Sequence, residues 1–149
     1  MVEIKILNLS DNPTPSYKTE EAAGFDLASN EEVFIPATGA LLVSTGIRLI
    51  IPKGYEGQLR LRSSMYTSSV VMPNAPGTID SDYRGEVKIP LRNVSPYNAV
   101  RINKGERIAQ IVIQKLPQVV MKEIDEKLFN LPSNQTIRKG AGFGSTGRD

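Results

Sequence analysis

Apolar residues along the chain fall in short runs with a period-two character, broken by Gly, Pro, Asn and Asp. The opening stretch alternates Val2, Ile4 and Ile6 with Glu3 and Lys5, the pattern of a strand with one wet face. Residues 41–51 are rich in Leu, Ile and Val and stop at Pro52-Lys53-Gly54, a turn signal. Gln58, Arg60 and Arg62 alternate with Leu59 and Leu61, and further strands are predicted over 87–91, 100–102, 108–113 and 119–124. No segment carries a sustained helical stripe. Many short strands between turn residues predict an all-β sandwich or barrel.

Beyond Ile124 the pattern changes. Residues 125–136 are polar, and then comes R-K-G-A-G-F-G-S-T-G-R-D, where glycines 140, 142, 144 and 147 surround a single aromatic, Phe143. Such a segment has too little apolar surface to pack by itself and is expected to be mobile when alone. The expected organisation is one β domain over residues 1–134 and a Gly-rich arm over 135–149, with no repeat and no second domain.

Composition narrows the chemistry. A length of 149 residues suits one domain with a real core. A net charge of +2 is too small for a nucleic-acid sheath, so no nucleic-acid partner is expected. No apolar run approaches the roughly 20 residues that span a bilayer, and the start of the chain lacks the apolar stretch of a secretory signal. A soluble intracellular protein with no membrane partner is expected. The chain has no Cys, His or Trp, which excludes thiol nucleophiles, Ser-His-Asp triads and ordinary zinc sites. A general base must then be Asp, Glu, Lys or Tyr. A metal must be a hard cation on oxygen, such as magnesium held largely by substrate phosphates.

Four segments could carry chemistry. In the tail, glycines would let backbone N–H groups approach an anion, Ser145 and Thr146 add hydroxyls, and Arg138 adds a fork of charged donors. A disordered terminal tail is the alternative, although a solvated linker has no use for Phe143. G-T-I-D-S-D-Y-R-G-E at 77–86 is either a site or a solvated hairpin built from ordinary turn residues. R-L-R-S-S at 60–64 presents two arginines on one face, or is an exposed strand edge guarded by Arg. A-A-G-F-D-L at 22–27, taken alone, is a turn leading into a single Asp.

Order and spelling together say more. The chain resembles the trimeric dUTP pyrophosphatase family, which is described by five ordered motifs. They correspond to A-A-G-F-D-L at 22–27, P-K-G-Y-E-G-Q-L-R-L-R-S-S at 52–64, G-T-I-D-S-D-Y-R-G-E-V at 77–87, K-G-E-R-I-A-Q-I-V-I at 104–113 and R-K-G-A-G-F-G-S-T-G at 138–147. The resemblance implies a jelly-roll-like β-barrel or sandwich (β-clip) with a flexible C-terminal arm, assembled as a homotrimer with shared active sites. The implied activity is magnesium-assisted hydrolysis of dUTP at the α-phosphate to dUMP and pyrophosphate.

The resemblance also implies roles. Asp80 would hold and activate the attacking water, as the elimination of His and Cys also suggests, and Gln110 would sit near the α-phosphate and that water. Tyr83 would pack on the deoxyribose and leave no room for a 2′-hydroxyl, and Asn74 would read the uracil edge on a β-hairpin. Arg62, Ser63 and Ser64 match phosphate contacts, and Gly77 and Ile79 fall in the substrate-binding third motif. Asp26 would act on the magnesium shell through water. Arg138 would clamp the γ-phosphate, Phe143 would stack over uracil, and Gly144, Ser145 and Thr146 would wrap the phosphates.

The chain departs from the family pattern at Gln58, commonly Arg, at Leu61, commonly Pro, and at Ser64, frequently Gly. Pro73 and Pro76 bracket Asn74 and lack backbone N–H groups, which leaves open which amides read the base. Three other readings compete with this one. A dCTP deaminase shares R-S-S and I-D but carries a catalytic Glu where this chain has Pro90. A dUTP-gated regulatory binding module would use the nucleotide as a switch. A structural trimer of the capsid jelly-roll kind would need neither Asp80 nor the tail.

Overall fold

The computed structural model describes residues 2–136. The site residues expected at Arg138, Phe143, Gly144, Ser145 and Thr146 therefore lie outside the described residues. Residues up to Pro117 form one compact unit, and Gln118 opens a second, taken separately below.

The first unit is all-β and jelly-roll-like. Its strands are β1 (Lys5–Asn8), β2 (Phe25–Ala28), β3 (Val33–Ile35), β4 (Ala40–Val43), β5 (Ile47–Ile50), β6 (Tyr55–Leu61), β7 (Val70–Val71), β8 (Gly77–Ile79), β9 (Ile89–Asn93), β10 (Val100–Ile102) and β11 (Arg107–Lys115). They form an antiparallel sheet in the order β2-β11-β6-β8, another in the order β4-β9-β7, and the pairs β1-β5 and β10-β3. Alternation drives the packing. In β5, Ile47 and Leu49 are buried while Arg48 and Ile50 are exposed, and in β9, Ile89, Leu91 and Asn93 are buried. Leu27, Ile35, Val43, Ile89, Ile108 and Ile111 are fully buried at the centre of the core. Among the described residues no buried side-chain N or O lacks a hydrogen-bond partner. Asn93 shows how: its Nδ2 donates to the carbonyls of Ile35, Pro36 and Asn98, and its Oδ1 accepts from Ser69 Oγ and Ser95 N.

Several strand predictions are corrected. The 41–51 run is two strands, because Gly46 turns the chain at a φ of +68° where Ser10 leaves no room for a Cβ. A-A-G-F-D-L is not a turn, since its last three residues open β2. The strand expected at 87–91 runs from Ile89 to Asn93. Pro90 fits there because β4 pairs along 89–92 while β7 reaches only Arg92 and Asn93, so no β7 carbonyl calls for the N–H that Pro90 lacks.

In the second unit, the strand expected over 119–124 does not form among the described residues. Val119, Val120 and Met121 are 73%, 93% and 93% exposed, and β-propensity without a ladder partner does not make a strand. Asp125 instead caps a single helical turn, α1 (Glu126–Phe129), its Oδ1 accepting from Leu128 N at 2.7 Å. No helix among the described residues is long and apolar enough to cross a membrane.

Candidate active site

The wet face of the β2-β11-β6-β8 sheet collects the polar residues of the first, second and fourth motifs. Phe25 and Leu27 point into the core, so Asp26 points out, and Leu59 between Gln58 and Arg60 does the same for β6. Register places Gln110 between Asp26 on β2 and Arg60 on β6. A bulge between Arg107 and Ala109 lets the Arg107 side chain turn to Asp26. The Asp26 carboxylate thus bridges two guanidiniums: Arg62 Nε donates to Oδ1 at 2.9 Å and Arg107 Nη1 to Oδ2 at 3.0 Å. Arg62 also donates to the Arg107 carbonyl at 3.3 Å. Ser63 and Ser64 follow in a 3-10 turn, Ser63–Thr67, at the end of β6.

Gly24 matters to this face. A Cβ there would lie 2.7 Å from the Ile111 carbonyl and 3.0 Å from Gln110 Oε1. The glycine lets the start of β2 lie close against β11 and leaves Gln110 its space. Arg107 and Gly24 were not among the sequence candidates. Both stand inside quoted motifs, K-G-E-R and A-A-G-F-D-L, but only the fold shows what they touch.

The third motif builds a different cavity. A cleft of about 640 Å³ is lined by Asn74, Gly77, Ile79 and Tyr83, with Leu59, Pro90 and Glu86 among its other walls. Gly77 and Ile79 lie on β8, whose ladder partner is β6. The expected hairpin around Asn74 is not a two-stranded ladder: β7 pairs with β9, β8 pairs with β6, and residues 72–76 cross between the two sheets. The Ala75–Pro76 peptide within this crossing is cis.

After β8 the chain turns tightly, with Tyr83 N donating to the Asp80 carbonyl at 3.1 Å. Tyr83 is half exposed, and its hydroxyl donates to the Glu86 carbonyl at 2.9 Å. The Glu86 carboxylate accepts from Ser44 Oγ and from the amides of Thr45 at 3.0 Å and Gly46 at 2.8 Å. Partial burial pushes this carboxyl upward. The Ser44 hydroxyl, the Gly46 and Thr45 amides and the Lys88 charge outweigh that and hold it below its ordinary value. Asp80 is exposed and lines an adjoining opening with Lys53, Ser81, Asp82 and Arg84.

The fold therefore brings Asp26, Arg62 and Gln110 together on one sheet, and Asn74, Gly77, Ile79 and Tyr83 together around one cleft. The walls of that cleft do not include Asp26, Arg62 or Gln110. Among the described residues no group of three or more carboxylates is placed to hold a metal ion. Both Asp26 oxygens face arginine.

The family model described as dUTPase matches residues 10–147. The chain belongs to the dUTPase family. It is 44% identical to a deoxyuridine 5'-triphosphate nucleotidohydrolase of Wolbachia pipientis from Culex pipiens, over 99% of this chain and 95% of that protein. A protein of the same description from Zymomonas mobilis is 45% identical, over 98% of this chain and 97% of its own length. A solved variant of the Staphylococcus bacteriophage 80alpha dUTPase with dUpNHpp superimposes with a TM-score of 0.83 at 26% identity, covering 97% of this chain and 98% of that one. The matched span of the dUTPase family includes both the arginine-bridged face and the Tyr83 cleft.

Proposed function

We propose that this chain is a dUTP diphosphatase that hydrolyses dUTP to dUMP and pyrophosphate. The observation that carries the reading is the cleft where Asn74, Gly77, Ile79 and Tyr83 converge beside the turn that bears Asp80. Uracil and deoxyribose occupy this cleft, with Asn74 on the base edge and the Tyr83 ring against the sugar. The triphosphate leads to Arg62, Ser63 and Ser64, with Gln110 beside the α-phosphate.

Asp80 takes a proton from water as its oxygen attacks the α-phosphorus in line, and the bond to the β-phosphate oxygen breaks to release pyrophosphate. Positioning and charge neutralisation supply most of the acceleration. A magnesium ion carried by the triphosphate would supply charge neutralisation on the phosphate oxygens. Asp26 holds Arg62 and Arg107 in place and would act on the metal shell through water. Arg138, Phe143, Gly144, Ser145 and Thr146 complete the site as a closing arm.

We further propose a homotrimer in which each site draws its nucleoside cleft and its arginine face from different subunits. Two observations support it. The residues of one nucleotide site fall on two surfaces of one chain, and Val119, Val120 and Met121 are exposed in a row, an apolar segment suited to a partner. Deamination is disfavoured because Pro90, a wall of the cleft, has no carboxylate to offer.

Pyrophosphate release from dUTP, dCTP, dTTP and UTP, with magnesium and with chelator, tests the reading, together with ammonia release from dCTP. Release from dUTP alone, lost with chelator, is expected. Asp80→Asn should bind dUTP while losing at least about a hundredfold in turnover. Near-normal turnover in that variant would remove Asp80 from the mechanism.

A further inference from the structure

Two residues of the third motif, Gly85 and Glu86, lie directly against Tyr83. A Cβ on Gly85 would stand 2.3 Å from Tyr83 Oη, 2.5 Å from Cζ and 2.9 Å from Cε2. A non-bonded Cβ does not stand that close to another heavy atom, so the phenol end of the ring occupies the space a side chain would need. Gly85 is not among the glycines with positive φ, which are Gly46, Gly54 and Gly105. Space, rather than backbone conformation, is what requires glycine here.

The far side of this seat is fastened. Tyr83 Oη donates to the Glu86 carbonyl at 2.9 Å. The Glu86 carboxylate in turn grips the turn between β4 and β5 through Ser44 Oγ, Thr45 N and Gly46 N. Val87 N donates to the Ile47 carbonyl at 2.8 Å, and Thr45 Oγ1 donates to the Val87 carbonyl at 2.5 Å. The acceptor of the phenol is thus tied to the core on both sides of its own peptide, while the ring itself remains half exposed at the cleft.

We propose that Gly85 is a specificity-determining residue and Glu86 a positioning residue: together they hold the Tyr83 ring at the depth that excludes a ribose 2′-hydroxyl. The proposal rests on the reading of Tyr83 as the sugar-facing residue. A ring against a sugar excludes one oxygen only if it cannot retreat, and a half-exposed tyrosine on a turn would retreat unless held. Gly85 gives it a recess and Glu86 gives it an anchored acceptor. Since the atoms nearest the added Cβ are the free end of the Tyr83 side chain, Gly85→Ala displaces the ring while leaving the fold intact.

The test compares kcat/KM for dUTP and UTP in the full-length parent, Gly85→Ala, Tyr83→Ala and Tyr83→Phe, each with its thermal melt. Gly85→Ala should melt close to the parent and lose at least about tenfold of the preference for dUTP over UTP, the scale of one pocket contact. A merely structural defect would lower both substrates equally and leave the ratio unmoved. If Tyr83→Ala loses the preference and a folded Gly85→Ala keeps it, the seat is wrong and the sugar-facing reading survives. If Tyr83→Ala keeps the preference, the sugar-facing reading fails and the seat fails with it. Should Gly85→Ala not fold, Tyr83→Phe decides: it removes only the bond to Glu86, so a several-fold loss of preference supports the seat and an unchanged preference overturns it.

Discussion

Replacing Asp26 by Asn separates two roles for this carboxylate, because one of them operates without nucleotide or metal. Asp26 bridges Arg62 at 2.9 Å and Arg107 at 3.0 Å, with side-chain exposures of 16% for Asp26, 28% for Arg62 and 48% for Arg107. The inner bond, to Arg62, belongs to the charge-assisted class worth about 1.5–3 kcal/mol. The outer one involves a half-exposed guanidinium and is screened, so it contributes about 0.2–1 kcal/mol. Asn keeps one carbonyl acceptor and recovers a part of the inner bond, about 0.5–1.5 kcal/mol. The net loss is then about 1–3 kcal/mol. With a urea slope of about 2 kcal/mol per molar, the midpoint should fall by roughly 0.5–1.5 M. The assay is urea unfolding of parent and variant in chelator at one protein concentration, since the stability of an oligomer depends on concentration. An unchanged midpoint refutes the bridge as a structural element. A deficit that appears only with magnesium and nucleotide assigns Asp26 to the metal shell alone.

Gly24→Ala should cost about 1–3 kcal/mol by overpacking β2 on β11, and turnover should fall beyond that because Gln110 Oε1 must move; a variant with parental midpoint and rate would show that β2 yields freely. Glu86 is held below its ordinary carboxyl value in the folded chain, so its contribution to stability is complete above the unfolded value, about 4.3, and disappears as pH falls through the lower folded value. Unfolding midpoints from pH 7 down to about pH 3 should therefore decline less steeply in Glu86→Gln than in the parent, and parallel curves would remove Glu86 from the acid response. Mixing Asp80→Asn with Arg62→Ala subunits after joint refolding should restore about a quarter of parental activity if sites are shared between chains, and none if each site lies in one chain.

The strands that the sequence revealed most fully are those with an uninterrupted alternation on a packed sheet. Residues 100–102 were predicted and observed with the same bounds, and the strand expected over 108–113 extends only to Arg107 and Lys115. Alternation is a local signal, and it fails where a strand's fate depends on something distant. At the break in 41–51, Gly46 turns the chain at a φ of +68°, and a Cβ there would lie 2.8 Å from Ser10, 36 positions away. The place of Pro90 in β9 depends on how far β7 reaches along the opposite edge. The run at 119–124 has the composition of a strand but lacks a partner within the described chain, and a strand is a property of two segments rather than one.

The site divides along a similar line. The resemblance carried by the five ordered motifs points to Asp80, Tyr83, Arg62 and Gln110, and the absence of His and Cys agrees with a carboxylate base at Asp80. What spelling does not convey is the work of residues that act through others. The resemblance places Asp26 at the magnesium shell; the fold adds two arginines that the same carboxylate holds. Gly24 and Gly85 stand out as turn residues, and the fold gives each a side chain to accommodate: Gln110 in one case, Tyr83 in the other. A glycine that makes room leaves no chemical trace in its own identity, only a collision when something is added. The same reasoning applies to the arrangement of the whole site. On the function proposed above, base, sugar and phosphates lie in one continuous line, whereas the walls of the Tyr83 cleft include none of Asp26, Arg62 and Gln110. A proposed trimer that joined the cleft of one subunit to the arginines of the next would bring the two together, and the mixing of Asp80→Asn with Arg62→Ala subunits decides whether it does.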